Sequence, residues 1–398
     1  MKNKILLTIV SAFIIHPSAF GQGALTPPGA PAPMMRTLLQ IEPRTPISAL
    51  PYTITNPGSY YLTTNLTGVL GQSGISINAS DVTLDLAGFV LQGIRGALDG
   101  IAIINFPAYT NIMVGNGSVR DWPGKGVNVN LAPRSVLNNL RVINNGGIGI
   151  YSGGGAIVSG CFAEANGGDG MDVAGAATVR DCVATGNHGN GFYLGSGSSI
   201  FNSVAVANTG LGIGSDGAGL ISGCTANQNG TAGIYIYSSG VVKDCIAAGN
   251  ATNGILTGYY SCLISGCHVS STGSGTNGVG IMTAIRCTVE NCTVVDSRND
   301  GIQVGGDSTV LNNHASHNGL GIAGAAGIHA TGAGSRIDGN HTRDNSGYGI
   351  KSDGGAGADT ITRNTSGGNG SAQYSPTTGT TFAPVQTPST ATSPWANF

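Results

Sequence analysis

Charge is scarce in this 398-residue chain: 17 Lys and Arg and 19 Asp and Glu make 9% of its residues, where ordinary domains carry about 25%. The net charge is -2 and no Lys/Arg cluster occurs, so the chain has no positive field of the kind nucleic acid requires. Aromatics are 6%, and no apolar run reaches the ~18 residues a membrane-spanning helix needs. Neither nucleic acid nor a membrane span is expected. G-x-G-x-x-G occurs at 212–217 and 273–278, but neither opens a helix, and so glycine-rich a chain produces the pattern by chance.

Glycine is what the chain has, 67 residues of it, and much of it is periodic. The tetrapeptide glycine, aliphatic, any, aliphatic begins at Gly126, Gly147, Gly170, Gly191, Gly210, Gly233 and Gly254, continues at Gly278, Gly301, Gly327 and Gly349, and is preceded by Gly74 and Gly100. The spacing of 19 to 26 residues is too short for two helices and suits one turn of a coil of short strands. A second column reads Asn139, Cys161, Cys182, Ser203, Cys224, Cys245, Cys267, Cys292, Asn313, Asn340, Asn364, and five residues later comes Asn144, Asn166, Asn187, Asn208, Asn229, Asn250, Thr272, Ser297, Asn318, Asn345, Asn369. Small polar side chains stacked in every turn bond up and down the coil, so these columns read as inward Cys and Asn ladders. Aliphatic positions such as Val136, Val158, Val179 and Ile200 complete three inward-facing strand segments per turn.

With these columns in view, residues 74–370 resemble the right-handed parallel β-helix family with its pectate-lyase-like members. The resemblance implies an all-β, single-stranded right-handed parallel β-helix solenoid of about 13 coils, roughly 60 Å long at the ~4.8 Å strand spacing. Pro57-Gly58-Ser59-Tyr60-Tyr61-Leu62-Thr63 and Val82-Thr83-Leu84-Asp85-Leu86-Ala87-Gly88-Phe89 are similar to the opening of secreted bacterial β-helix proteins of largely unassigned activity, which implies that residues 52–73 cap the first coil. The family resemblance does not supply a reaction. The matched Asp pair of polygalacturonases, Gly-His-Gly, Arg-Ile-Lys and the calcium-binding Asp set of pectate lyases are all missing.

Lys2, Lys4, the apolar stretch 5–15 and Ala19-Phe20-Gly21 read as a signal peptide over residues 1–21, and 22–51 as a proline-rich linker or irregular cap. The expected location is extracellular, on the cell surface or in the periplasm of a bacterium. Six of the eight cysteines fall in the inward column, where stacked neighbours about 4.8 Å apart pack as thiols rather than disulfides. Cys262 and Cys287 stand on adjacent turns in a column of small turn residues, and are either a disulfide or two unpaired thiols. Residues 371–398, rich in Ser, Thr and Pro, are either a disordered tail or a cap in which Trp395 and Phe398 fold over the open last coil.

Outward positions after the repeat glycines hold the candidate chemistry. Tyr151, Asp169, Asp172 and Tyr193 fall on three consecutive turns, with Tyr235 and Tyr237 beyond; aromatic faces beside carboxylates suit sugar rings. Asp300, Gln303, His329, Lys351 and Asp353 fall on three others, an acid, an imidazole and an amine sufficient for acid-base chemistry on a uronate or glycosidic bond. In that reading Lys351 or His329 is the base, and Asp300 or Asp353 the acid or a cation ligand. No cofactor is expected, with calcium as the alternative: Gly167-Gly168-Asp169-Gly170-Met171-Asp172 matches the start of a calcium nonapeptide repeat, but as one copy where tandem copies are needed. His314 and His341 stack on adjacent turns of another column without an evident third ligand. Two functional readings stand: a protein that binds or processes an extracellular polysaccharide or cell-surface glycan, and a non-catalytic structural or adhesive rod.

Overall fold

The computed structural model describes residues 42–103, 109–273, 278–320, 322–354 and 359–398; the signal-peptide segment 1–21 and the linker up to residue 41 lie outside the described residues. All described secondary structure is β-strand. Each regular coil has three strands of about three residues, as in Met171–Val173, Thr178–Arg180 and Val183–Thr185. The first strand of every coil joins a 15-stranded sheet, and the other two join a 28-stranded sheet, all in parallel register with the next coil. Fifteen strands in one sheet make about fourteen turns, one more than the repeat count implied.

Each corner places one residue in the left-handed region, such as Ala176, Asp181 and Gly186 in one coil, and follows it with a small inward residue. The third of these, Asn187, shows how the corner is satisfied: its Nδ2 donates to Ala163 O at 3.1 Å and to Asn208 Oδ1 at 2.9 Å, while its Oδ1 accepts the Asn166 amide at 3.0 Å. The same pattern repeats from Asn145 to Asn250 and again through Asn318 and Asn345, an Asn ladder that keeps a buried bend hydrogen-bonded. It also dictates the repeat glycine, since a Cβ on Gly191 would lie 2.7 Å from both Asn208 Nδ2 and Gly212 O.

Register corrects the sequence columns at their ambiguous ends. Val158 pairs with Leu137 and Phe162 with Arg141, so Leu140 and Asn145, both buried, occupy the inward columns in place of Asn139 and Asn144. Asn139 and Asn144 instead hold left-handed corner conformations, which Asn adopts at little cost. Likewise Gly149, Gly212 and Gly280, rather than Gly147, Gly210 and Gly278, lie against the ladder.

Coiling begins upstream of Gly74. Thr45–Ile47 pairs with Tyr60–Leu62 and Tyr52–Ile54 with Ile75–Ile77, so residues 52–73 carry coil strands of their own. There the fully buried Trp122 takes the ladder position one coil before Asn145, its amide donating to Asn145 Oδ1 at 3.1 Å and its indole to Leu91 O at 3.2 Å. At the other end Ala372–Ser375 and Thr381–Phe382 add two more strands, and the buried Asn397 extends the second polar column by accepting from the Asn364 amide at 3.0 Å. Trp395 faces outward over Arg363, 5.3 Å from its guanidinium, so Ala396 and Asn397 cover the coil rather than Trp395.

All eight cysteines are buried free thiols. Cys262 and Cys287 are likewise unbridged, the Cys262 amide donating to Cys287 Sγ at 3.4 Å. They belong to an inward column with Ser308 and Ser335, where each side chain accepts the amide of the preceding coil.

Candidate functional site

Parallel pairing of the 15-stranded sheet sets one outward residue of each coil beside the next, and the resulting column reads Asn128, Tyr151, Asp172, Tyr193, Gly214, Tyr235, Leu256, Met282, Gln303, His329, Lys351. Both groups of sequence candidates therefore lie on one line. Tyr151 neighbours Asp172 directly, a contact that the choice of Gly147 over Gly149 had hidden.

In the first group, burial and then the charges of Asp169 and Asp216 push the Asp172 carboxyl up to about 6, against the pull of Lys125. Lys125 itself lies over the Tyr151 ring at 5.3 Å. Tyr193 donates to Asp216 Oδ1 at 2.5 Å, and that bond with burial pushes its hydroxyl up to about 12. Asp169 is occupied structurally, its Oδ1 accepting the Asn190 amide at 2.5 Å. Tyr235 lies two strands beyond Tyr193 across Gly214, and Tyr237 sits off the column, stacked on Tyr259 with ring centroids 6.1 Å apart. Asp216 was missed because the repeat was anchored at Gly210 rather than Gly212, which hid the outward position two residues past Gly214; Lys125, Tyr259 and Tyr260 lie between strands, where side chains follow no strand period, and the doublet Tyr259-Tyr260, one of two such doublets in this aromatic-poor chain, was the available signal.

In the second group, the structure brings together four of the five candidates. His329 Nδ1 lies 2.8 Å from Asp300 Oδ2 and Nε2 lies 2.9 Å from Asp353 Oδ2, which Lys351 Nζ also meets at 2.6 Å. Asp300 is buried and its other oxygen accepts the Ala326 amide at 2.6 Å, so this carboxylate is held rigidly; Asp353 is 47% exposed in its side chain and can be displaced. Burial disfavours the imidazolium, but hydrogen bonds and charge from Asp300, and then Asp353, outweigh it and raise the His329 pKa above the usual histidine value. Burial likewise opposes ionisation of Asp353, yet Lys351 and His329 hold its carboxyl below the ordinary range. Gln303 is the strand neighbour of His329 on the side away from Lys351. Tyr348, also outside the sequence candidates, places its ring 5.9 Å from Lys351 Nζ. The arrangement can move a proton at His329 Nε2, with Asp300 fixing the ring through Nδ1, and can bind an anion at Lys351.

Depressions of about 350 and 410 Å³ lie elsewhere, sharing Gly249 and Ser271 at the Asn-ladder corner, and no titratable cluster lines them beyond Asp296 and Arg298. The clustered titratable side chains sit on the open sheet face.

The profile of the right-handed β-helix region matches residues 63–209, 199–335 and 277–382. This chain belongs to the right-handed β-helix family. Among solved structures it is similar to the A-module of the mannuronan C-5 epimerase AlgE4 of Azotobacter vinelandii, 16% identical over 85% of this chain and 90% of that one, TM-score 0.37. It is also similar to pectate lyase Pel9A, 15% identical over 82% and 70%, TM-score 0.35, and to the catalytic domain of a GH87 alpha-1,3-glucanase, 12% identical over 84% and 63%, TM-score 0.30. A search of curated proteins finds no match to the sequence. Among the described residues of this β-helix, no helix is long and apolar enough to cross a membrane.

Proposed function

We propose that this β-helix binds an acidic extracellular polysaccharide along the outer column of the 15-stranded sheet and processes it at His329. The observation that carries the reading is the placement of His329 between a buried carboxylate and an exposed Asp353–Lys351 pair, on the same line as Tyr151, Asp172, Tyr193 and Tyr235. A sugar carboxylate entering this edge replaces Asp353 as the partner of Lys351. In its neutral form His329 then takes, through Nε2, the proton on the carbon bearing that carboxylate. Cleavage of the C–O bond on the adjacent carbon, with the proton on His329 passing to the departing oxygen, leaves an unsaturated end; delivery of a different proton from water to the opposite face inverts the centre instead, and His329 then gives its proton to solvent. Asp300 acts as a positioning residue through Nδ1 and not as the acid. This reading uses no cofactor, and export by the leader-like first 21 residues would place the protein where such polymers occur.

The test is a panel of acidic and neutral polysaccharides scored for binding, unsaturated ends and reducing ends, with wild type beside His329→Ala/Lys351→Ala. Product that disappears in the double variant supports processing. Binding without product reduces the protein to a recognition module, and silence on every polymer leaves the structural rod.

A further inference from the structure

We infer that His314 and His341, on the outer face of the 28-stranded sheet, form a two-imidazole site for a tetragonal divalent ion, Cu(II) or Ni(II). The two residues are register partners on adjacent parallel strands, His314–Ser316 and His341–Arg343, so the backbone and not a mobile loop sets their separation. Their rings are tilted by 47° with centroids 4.8 Å apart, and the two Nδ1 atoms face each other at 2.9 Å.

That separation is informative. Two nitrogens bound at ~2.0–2.1 Å lie about 2.9 Å apart when they occupy neighbouring corners of a square plane, and about 3.4 Å apart at tetrahedral angles. The pair, joined by a hydrogen bond of 2.9 Å, already stands at the separation of neighbouring square-planar corners. Imidazole with oxygen ligands in that geometry selects Cu(II) or Ni(II), with Cu(II) bound more tightly.

A further contact prepares the donor. The buried Ser316, two residues along the same strand, has Oγ 3.0 Å from His314 Nε2. With Nε2–H donating to that oxygen, His314 presents a Nδ1 lone pair to the gap, the outer-shell arrangement that orients ligating imidazoles. In the metal-free protein His341 Nδ1–H donates to that lone pair; when the ion enters, His341 carries its hydrogen on Nε2 and both Nδ1 atoms ligate. Thr293 and Thr365 flank the pair on the neighbouring strands, and His317 points to Asp344 at 4.0 Å instead. Among the described residues no third His, Cys, Asp or Glu completes a protein-only coordination sphere, so the remaining positions are open to water or to an incoming oxygen ligand.

Cu(II) titration of the full-length protein, read by electron paramagnetic resonance at one equivalent, counts the bound nitrogens directly. The expected result is one saturable site with two imidazole nitrogens, lost in His341→Ala, weakened about tenfold in Ser316→Ala as outer-shell partners are, and unchanged in His317→Ala. A spectrum with one or no nitrogen, tight binding that survives His341→Ala, or the absence of saturable binding would each overturn the assignment. The nitrogen count on wild type stands whatever the variants do to folding, and unfolding midpoints show whether those variants are intact.

Discussion

Replacing Asp300 by Asn tests whether this carboxylate is what charges and orients His329. Asn keeps an oxygen for the Ala326 amide and nearly the same volume, so the corner survives while the negative charge on His329 Nδ1 is lost. A hydrogen bond to a charged group is worth about 1.5–3 kcal/mol, and one pKa unit is 1.36 kcal/mol, so the His329 pKa should fall by about one to two units in Asp300→Asn. The fall has a definite direction because burial, which already opposes the imidazolium, stays in place. Asp353→Asn provides the comparison. Its carboxylate is 47% exposed and shared with Lys351, and exposed pairs contribute about 0–1 kcal/mol, so its loss should lower the pKa by less than about 0.7 unit. Titration of the His329 ring protons by NMR in wild type and both variants reads all three values. Equal shifts, or a larger one in Asp353→Asn, would refute the account of a buried orienting carboxylate.

Asn208→Ala removes four side-chain hydrogen bonds inside the ladder and leaves the Asn187 amide and Ala184 O to find other partners in a dry interior. At about 1–3 kcal/mol for each unsatisfied group, urea unfolding should show a loss of about 2–5 kcal/mol, against almost none for the exposed Thr231→Ala. Asp338, whose side chain is 1% exposed, is held at about 2 by its bond to Arg363, with burial opposing and Arg336 assisting. Its folded value lies below the unfolded ~3.9, so its stabilisation is complete above that value and disappears as pH falls towards about 2. Unfolding midpoints between pH 5 and 2 should therefore fall more steeply in wild type than in Asp338→Asn.

Much of this architecture was legible because a β-helix repeats its packing problem. Every coil must bury an aliphatic pair, turn three corners and satisfy the bends, so glycine, aliphatic and Asn recur from Gly170 onward at an interval that survives modest insertions. The misreadings have two causes. Asn144-Asn145 offer the same side chain twice, and Gly147 and Gly149 the same lack of one, so that only burial and strand register separate them; Asn139 suited a polar column better than the apolar Leu140 that fills it. The earliest coils were obscure because Trp122, a residue unlike Asn in every sequence measure, occupies the ladder position there. The Asp300–His329–Asp353–Lys351 group was legible as residue types on neighbouring turns. What the sequence could not provide was the division of labour, because whether an aspartate accepts from a backbone amide, as Asp169 and Asp300 do, depends on which way a corner turns.

The column that carries both groups behaves as a ruler with fixed graduations. From Asp172 to His329 there are seven strand steps, about 34 Å at ~4.8 Å each. Because each coil bonds only to the coils beside it, that distance cannot drift continuously as side chains change. It can alter only in whole steps, by gain or loss of a coil such as the 21 residues from Gly212 to Ala232, with both groups left chemically intact. On the proposed function, a polymer long enough to span the face would register such an edit as a change in which of its sugars meets His329 while another rests on Tyr193, and length selectivity would then be inherited in units of one turn.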